Sequence, residues 1–108
     1  MKIQFKEDVF SKKGLKKGQV YNVISISINQ NQKKFLYRII DSEGTPALYE
    51  NHLFDIIDNK LDSDWIISFN EEFNVINIMP ASISYKGFWE DYFNDEDNAV
   101  KIFNNRFG

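Results

Sequence analysis

His52 is the single histidine of the chain and cysteine is absent, so few residues can act as general base, nucleophile or soft metal ligand. A catalytic histidine needs a nucleophile or carboxylate beside it in space. His52 lies in a turn between apolar runs, where an ordinary surface or packing role is expected. A transition-metal site built on one histidine and no thiolate would need several carboxylates. Carboxylates do gather at Glu90, Asp91, Asp95, Glu96 and Asp97, but without the spacing, turn glycine or terminal bidentate glutamate of a calcium loop. No spacing sets two of them across a cleft for glycoside hydrolysis. The glycines are isolated turn residues with no phosphate-cradling motif. The sequence therefore predicts no catalytic residue, no metal and no cofactor.

Two stretches carry binding chemistry instead. In residues 87–97, four rings alternate with carboxylates: Phe88, Trp89, Tyr92 and Phe93 fall on one helical face and Glu90 and Asp91 on the other. Packed inward, these rings close an open sheet. Left partly exposed, they make a docking surface, since Tyr and Trp bury large areas at small rotamer cost. An acidic rim would also steer a basic partner. The residues expected to bind it are Trp89, Glu90, Asp91, Tyr92, Asp95, Glu96 and Asp97. The second stretch is the lysine cluster Lys12, Lys13, Lys16 and Lys17, which suits phosphate contact and so nucleic acid, helped by Lys33 and Lys34 if the strands bring them close.

Charge decides between the two. Residues 1–40 carry nine basic and two acidic side chains, a net of +7. Residues 41–108 carry four basic and fourteen acidic, a net of −10, which leaves −3 for the whole chain. Such asymmetry marks either an interaction surface or two halves that neutralise each other on folding. The acidic second half would repel a polyanion. A basic protein partner is the first expectation and nucleic acid the alternative.

The remaining composition bounds the class. The chain has 108 residues, 43% hydrophobic and 16% aromatic, enough for a real core in a single domain. No apolar run reaches the roughly 20 residues needed to span a bilayer, and the first residues lack the apolar core of a secretory signal. A cytoplasmic protein without membrane association is expected.

The elements that position these residues read mostly as strands. Residues 1–5 alternate, as a half-buried opening strand should. Gly14 and Gly18 mark turns in a long loop onto which Val9, Phe10 and Leu15 could fold back. Residues 19–28 form the clearest strand, with Val20, Ile24, Ile26 and Ile28 on one face and Tyr21, Val23, Ser25 and Ser27 on the other. Residues 33–40 return antiparallel, the polar turn of residues 41–46 delivers Ala47-Leu48-Tyr49, and a tight 3₁₀ or irregular turn precedes Phe54-Asp55-Ile56-Ile57. The segment Lys17-Gly18-Gln19-Val20-Tyr21-Asn22-Val23, with Tyr37-Arg38-Ile39-Ile40-Asp41, Pro46-Ala47-Leu48-Tyr49 and Leu53-Phe54-Asp55-Ile56-Ile57, resembles small bacterial SH3-like barrel proteins over residues 1–58. The likeness is architectural and implies an SH3-like antiparallel barrel, a fold that hosts many functions.

Residues 59–80 then read as an added β-hairpin, with Trp65, Ile67 and Phe69 on one face and Val75 to Met79 pairing back before Pro80 stops the strand. Residues 81–108 read as a helical appendage. Asn94 or Asp95 caps a second short helix, and Ala99, Ile102, Phe103 and Phe107 form its apolar side. The fold class expected is mainly β with a short α segment. A non-enzymatic protein-interaction module fits all of this, and a bacterial immunity or inhibitor-type protein that neutralises a toxin is one such class.

Overall fold

The computed structural model describes residues 1–6 and 14–108. Seven antiparallel strands form one hydrogen-bonded sheet: β1 (Lys2–Phe5), β2 (Val20–Asn29), β3 (Lys34–Ile40), β4 (Pro46–Glu50), β5 (Phe54–Asp58), β6 (Trp65–Asn70) and β7 (Val75–Pro80). Two helices follow, α1 (Phe88–Phe93) and α2 (Asp97–Phe107). The main path runs β4-β3-β2-β1-β5, and a 3₁₀ turn at Asn51–Leu53 links β4 to β5. The hairpin of β6 and β7 joins the sheet through β7, which pairs with the C-terminal half of β2. The β+α class read from the sequence therefore holds, and the hairpin is part of the sheet. Among the described residues no ladder joins β4 to β5, so the sheet is open.

Strand β2 organises the fold. Its first half pairs with β1, while its second half lies between β3 and β7. The register shifts between Val23 and Ser25, where Val23 opposes Ile39 and Ser25 opposes Arg38. That bulge inserts Ile24 as an extra residue and reverses the strand's facing. The uninterrupted alternation expected along residues 19–28 is corrected accordingly. Tyr21, Val23 and Ile26 all enter one core, whereas Ile24 alone enters the other. The polar positions carry the mark of the slip, since Asn22 before the bulge and Ser25 and Ser27 after it fall on opposite phases of the alternation.

The two cores lie on opposite sides of this strand. The first gathers Ile3, Phe5, Tyr21, Val23, Tyr37, Ile39 and Phe54, with Leu15 folded in from the loop before β2. Val9 and Phe10, expected to help fold that loop, lie outside the described residues. The second core is built from Ile24 and Met79 of the sheet, Ile83 of a 3₁₀ turn, Phe88 of α1 and Ala99 and Phe103 of α2. Burying a side chain the size of Phe88 contributes about 1.5–3 kcal/mol, and this one is only 2% exposed.

Short helices need their ends satisfied. The expected cap of α2 at Asn94 or Asp95 is corrected to Glu96, whose carboxylate accepts from the Asn98 and Ala99 amides at 3.2 and 3.1 Å. Asn94 is used to close α1, and Asp95 takes a left-handed φ of 57° to turn the chain. With three residues between the helices, the turn leaves the cap to the last of them.

At the other end of the sheet, the β3–β4 turn is held by Asp41, which is buried. One carboxylate oxygen accepts from the Glu43 and Thr45 amides at 2.9 and 3.1 Å, and the other from the Tyr49 hydroxyl at 2.7 Å. Gly14 presses on this knot, at φ +90°. A Cβ there would stand 2.5 Å from Asp41 Oδ2 and 2.6 Å from the Tyr49 oxygen. Ser42 completes the join, donating its amide to Gly14 O and sharing a 2.7 Å hydrogen bond with the Tyr21 hydroxyl. Burial, then the bonded carboxylate of Asp41, pushes the Tyr49 phenol well above its ordinary range.

Candidate functional site: the groove between the β6–β7 hairpin and α1

The packing of α1 decides which of its rings are available. Phe88 is buried in the second core. Trp89 stands edge-on to Phe88 with centroids 4.9 Å apart, and Tyr92 lies 4.6 Å from Phe103. Both are half-buried and belong to the wall of that core. Phe93, by contrast, is exposed. Inward packing of the helical face thus accounts for three of its four rings.

Trp89 has a second neighbour. The Arg38 guanidinium lies 4.2 Å above its ring and donates from Nη1 to Pro46 O at 2.8 Å, while Nε has no hydrogen-bond partner among the described residues. Burial lowers the Arg38 pKa to about 10. The indole face offers this cation an electrostatic partner where, among the described residues, no carboxylate pairs with it.

Beside Trp89 the surface falls into an open groove of about 500 Å³. Ser68, Phe69 and Glu72 of the hairpin form one wall, and Tyr85, Trp89 and Glu90 the other, with Lys86 as the cation of the lining. The Tyr85 hydroxyl donates to Asp91 Oδ2 at 3.3 Å. Its pKa is raised by desolvation and then by the charges of Asp91 and Glu96. The exposed ring of Tyr85 therefore sits beside carboxylates, whereas Phe69, next to Ser68 in β6, borders the groove from a position whose side chain alternates to the opposite face.

Of the residues expected to bind a partner, Trp89 and Glu90 line the groove and Asp91 reaches it through Tyr85. Tyr92 packs into the core behind it. Glu96 is engaged as the helix cap, and Asp95 and Asp97 are exposed on either side of it. The sequence reading missed Phe69, Glu72 and Tyr85. Phe69 had a signal, because a ring that alternates with Trp65 and Ile67 near the end of a hairpin outruns any core one hairpin can cover. Tyr85 had none, being one tyrosine in an irregular segment.

The other candidates lie apart. Lys16 and Lys17 are exposed ahead of β2, and Lys12 and Lys13 lie outside the described residues. His52 is exposed and bonds the Glu50 carboxylate at 2.6 Å. Among the described residues no group of three or more His, Cys, Asp or Glu is placed to hold a metal ion, and no helix is long and apolar enough to cross a membrane. Compared with protein-family models, curated proteins and solved structures, the chain matches none of them.

Proposed function

We propose that this protein is a non-enzymatic protein-interaction module that captures a basic partner on the side formed by the hairpin and α1. The observation that carries the reading is the groove itself. Tyr85 supplies exposed aromatic area beside the half-buried Trp89, and Glu72, Glu90 and Asp91 supply negative charge around it. Rings give such a contact its area, and the carboxylates speed encounter and exclude acidic competitors. An immunity or inhibitor-type protein that occludes a basic toxin is one class that works this way. The SH3-like reading is kept as part of the proposal. It is supported by the strand path, by β2 serving both halves of the sheet and by the 3₁₀ turn before β5.

The packing changes which variants test the idea. Trp89→Ala and Tyr92→Ala would open the second core, so a loss of binding would not separate surface from fold. Glu72→Lys with Glu90→Lys alters only exposed positions. Affinity capture with the wild type, eluted by graded salt, is expected to retain a basic protein that the double variant releases or never binds. Equal capture by both would contradict the acidic groove. Recovery of nucleic acid by both, released at moderate salt, would move the site to the lysines before β2.

A further inference from the structure

Strand β6 is an edge: it pairs with β7 and, among the described residues, with nothing else. The direction of its free backbone groups follows from one hydrogen bond. The Ala81 amide donates to Asp64 O at 2.9 Å, one step beyond the pair Trp65 and Pro80. Antiparallel pairs alternate between bonded and non-bonded. Ile66/Met79 and Ser68/Asn77 are therefore bonded, while Ile67/Ile78 and Phe69/Ile76 are not. Pro80, which lacks an N–H, falls on a non-bonded pair as this phase requires. Ile67 and Phe69 thus turn their N–H and C=O groups to the open edge.

The same two residues carry exposed apolar side chains. By alternation they share the face of Trp65, which packs against the first core. Yet Ile67 is 73% exposed and Phe69 52% exposed, because the core face runs on past the strands that cover it. The hairpin tip is held in place, since Asn74 bonds both Gln30 and Asn31 in the β2–β3 turn. Natural edges are usually blunted by charge or proline. Strand β6 has neither along its length.

Charge identifies the occupant. Asp62 and Asp64 stand at one end of β6 and Glu71 and Glu72 at the other. Arg106 engages both Asp62 and Asp64, leaving that end with one excess negative charge. A second copy pairing antiparallel would bring its Glu71 and Glu72 against Asp62 and Asp64, like charge on like. We propose that β6 accepts an extended segment of the basic partner as an added strand. That segment alternates apolar side chains over Ile67 and Phe69 and carries lysine or arginine at both ends. Main-chain hydrogen bonds provide affinity in such strand addition, and flanking side chains provide choice. The inference rests on the basic-partner reading and adds where the partner's backbone lies.

The test uses the full chain and a synthetic probe. The probe is a short peptide of alternating valine and threonine with two lysines at each end. One counterpart carries glutamates instead, and another is N-methylated on alternate residues. The lysine peptide is expected to bind at least about tenfold more tightly than either counterpart. On binding, amide exchange should slow at Ile67 and Phe69, whose N–H groups are free, and change little at Ile66 and Ser68, already bonded. Ile67→Pro leaves the β6–β7 ladder intact and should abolish binding. If that variant fails to fold, Ile67→Lys, which puts a repelling charge on the edge, should weaken it about tenfold. Lack of binding at millimolar peptide overturns the inference. So does binding without protection at Ile67 and Phe69; if that binding is lost in Glu90→Lys, the groove reading survives alone. A wild-type dimer abolished by Ile67→Lys would give the edge to a second copy and equally overturn the proposal.

Discussion

Around Asp41 the chain leaves little unused. Both carboxylate oxygens are occupied, Tyr49 and Tyr21 spend their hydroxyls on that turn, and Gly14 fits where no side chain would. At β6 the opposite holds. Two backbone amides face outward and apolar side chains stand in water. The only charges are beyond the strand's ends. Folding physics explains the first region completely, since a buried carboxylate must be bonded to be tolerated. It gives no reason for Ile67 or Phe69 at the second. The difference teaches where the molecule is finished by folding and where it is finished by something else.

The sharpest way to break that comparison is to damage both regions and compare stabilities. Phe88→Ala, in the core that carries α1, should cost about 3–5 kcal/mol in denaturant unfolding. Asp41→Ala should cost about 3 kcal/mol, because it leaves two amides and the Tyr49 hydroxyl without their acceptor. Removing the α2 cap with Glu96→Ala should cost about 1 kcal/mol, read in the same way. At β6, Ile67→Lys and Phe69→Ser should stay within about 0.5 kcal/mol of wild type. A loss there as large as at Asp41 would make the edge part of the fold and end the contrast.

A pH titration sharpens the same contrast. The raised pKa of Tyr49 means the folded state favours the protonated phenol. Its contribution is therefore fully present below the ordinary tyrosine pKa near 10 and is lost as pH rises toward the higher folded value. Denaturant midpoints should fall above about pH 10 in the wild type and fall less steeply in Tyr49→Phe. Ile67→Lys should follow the wild-type curve until its own lysine titrates.

Much of this was legible in the sequence, for reasons that also explain the gaps. The turn at Asp41 to Pro46, the 3₁₀ step before β5, the hairpin stopped by Pro80 and the two helices are set by local preferences: turn residues, alternation and a switch of period. The bulge at Ile24 had only a faint mark, the change of phase between Asn22 and the pair Ser25 and Ser27, in a run otherwise dense in β-branched residues. The cap at Glu96 was missed because Asn and Asp are the preferred N-cap residues and both stand just before it. The groove and the edge escaped notice because each depends on β7 pairing with β2, a long-range contact with no local mark in the chain. The stretch Gly87 to Asp97, read as aromatic and acidic, has its rings shared between core and surface.

The most direct test of the account is to titrate the isotopically labelled full chain, in parallel, with the lysine-flanked peptide and with a short single-stranded DNA, following backbone amide shifts. The account predicts that the peptide moves Ile66 to Asn70, Glu72 and Tyr85 to Asp91, with an affinity that falls as salt rises, and that the DNA moves nothing there. Shifts centred instead on Lys16 to Asn22, and produced by the DNA rather than the peptide, would contradict it.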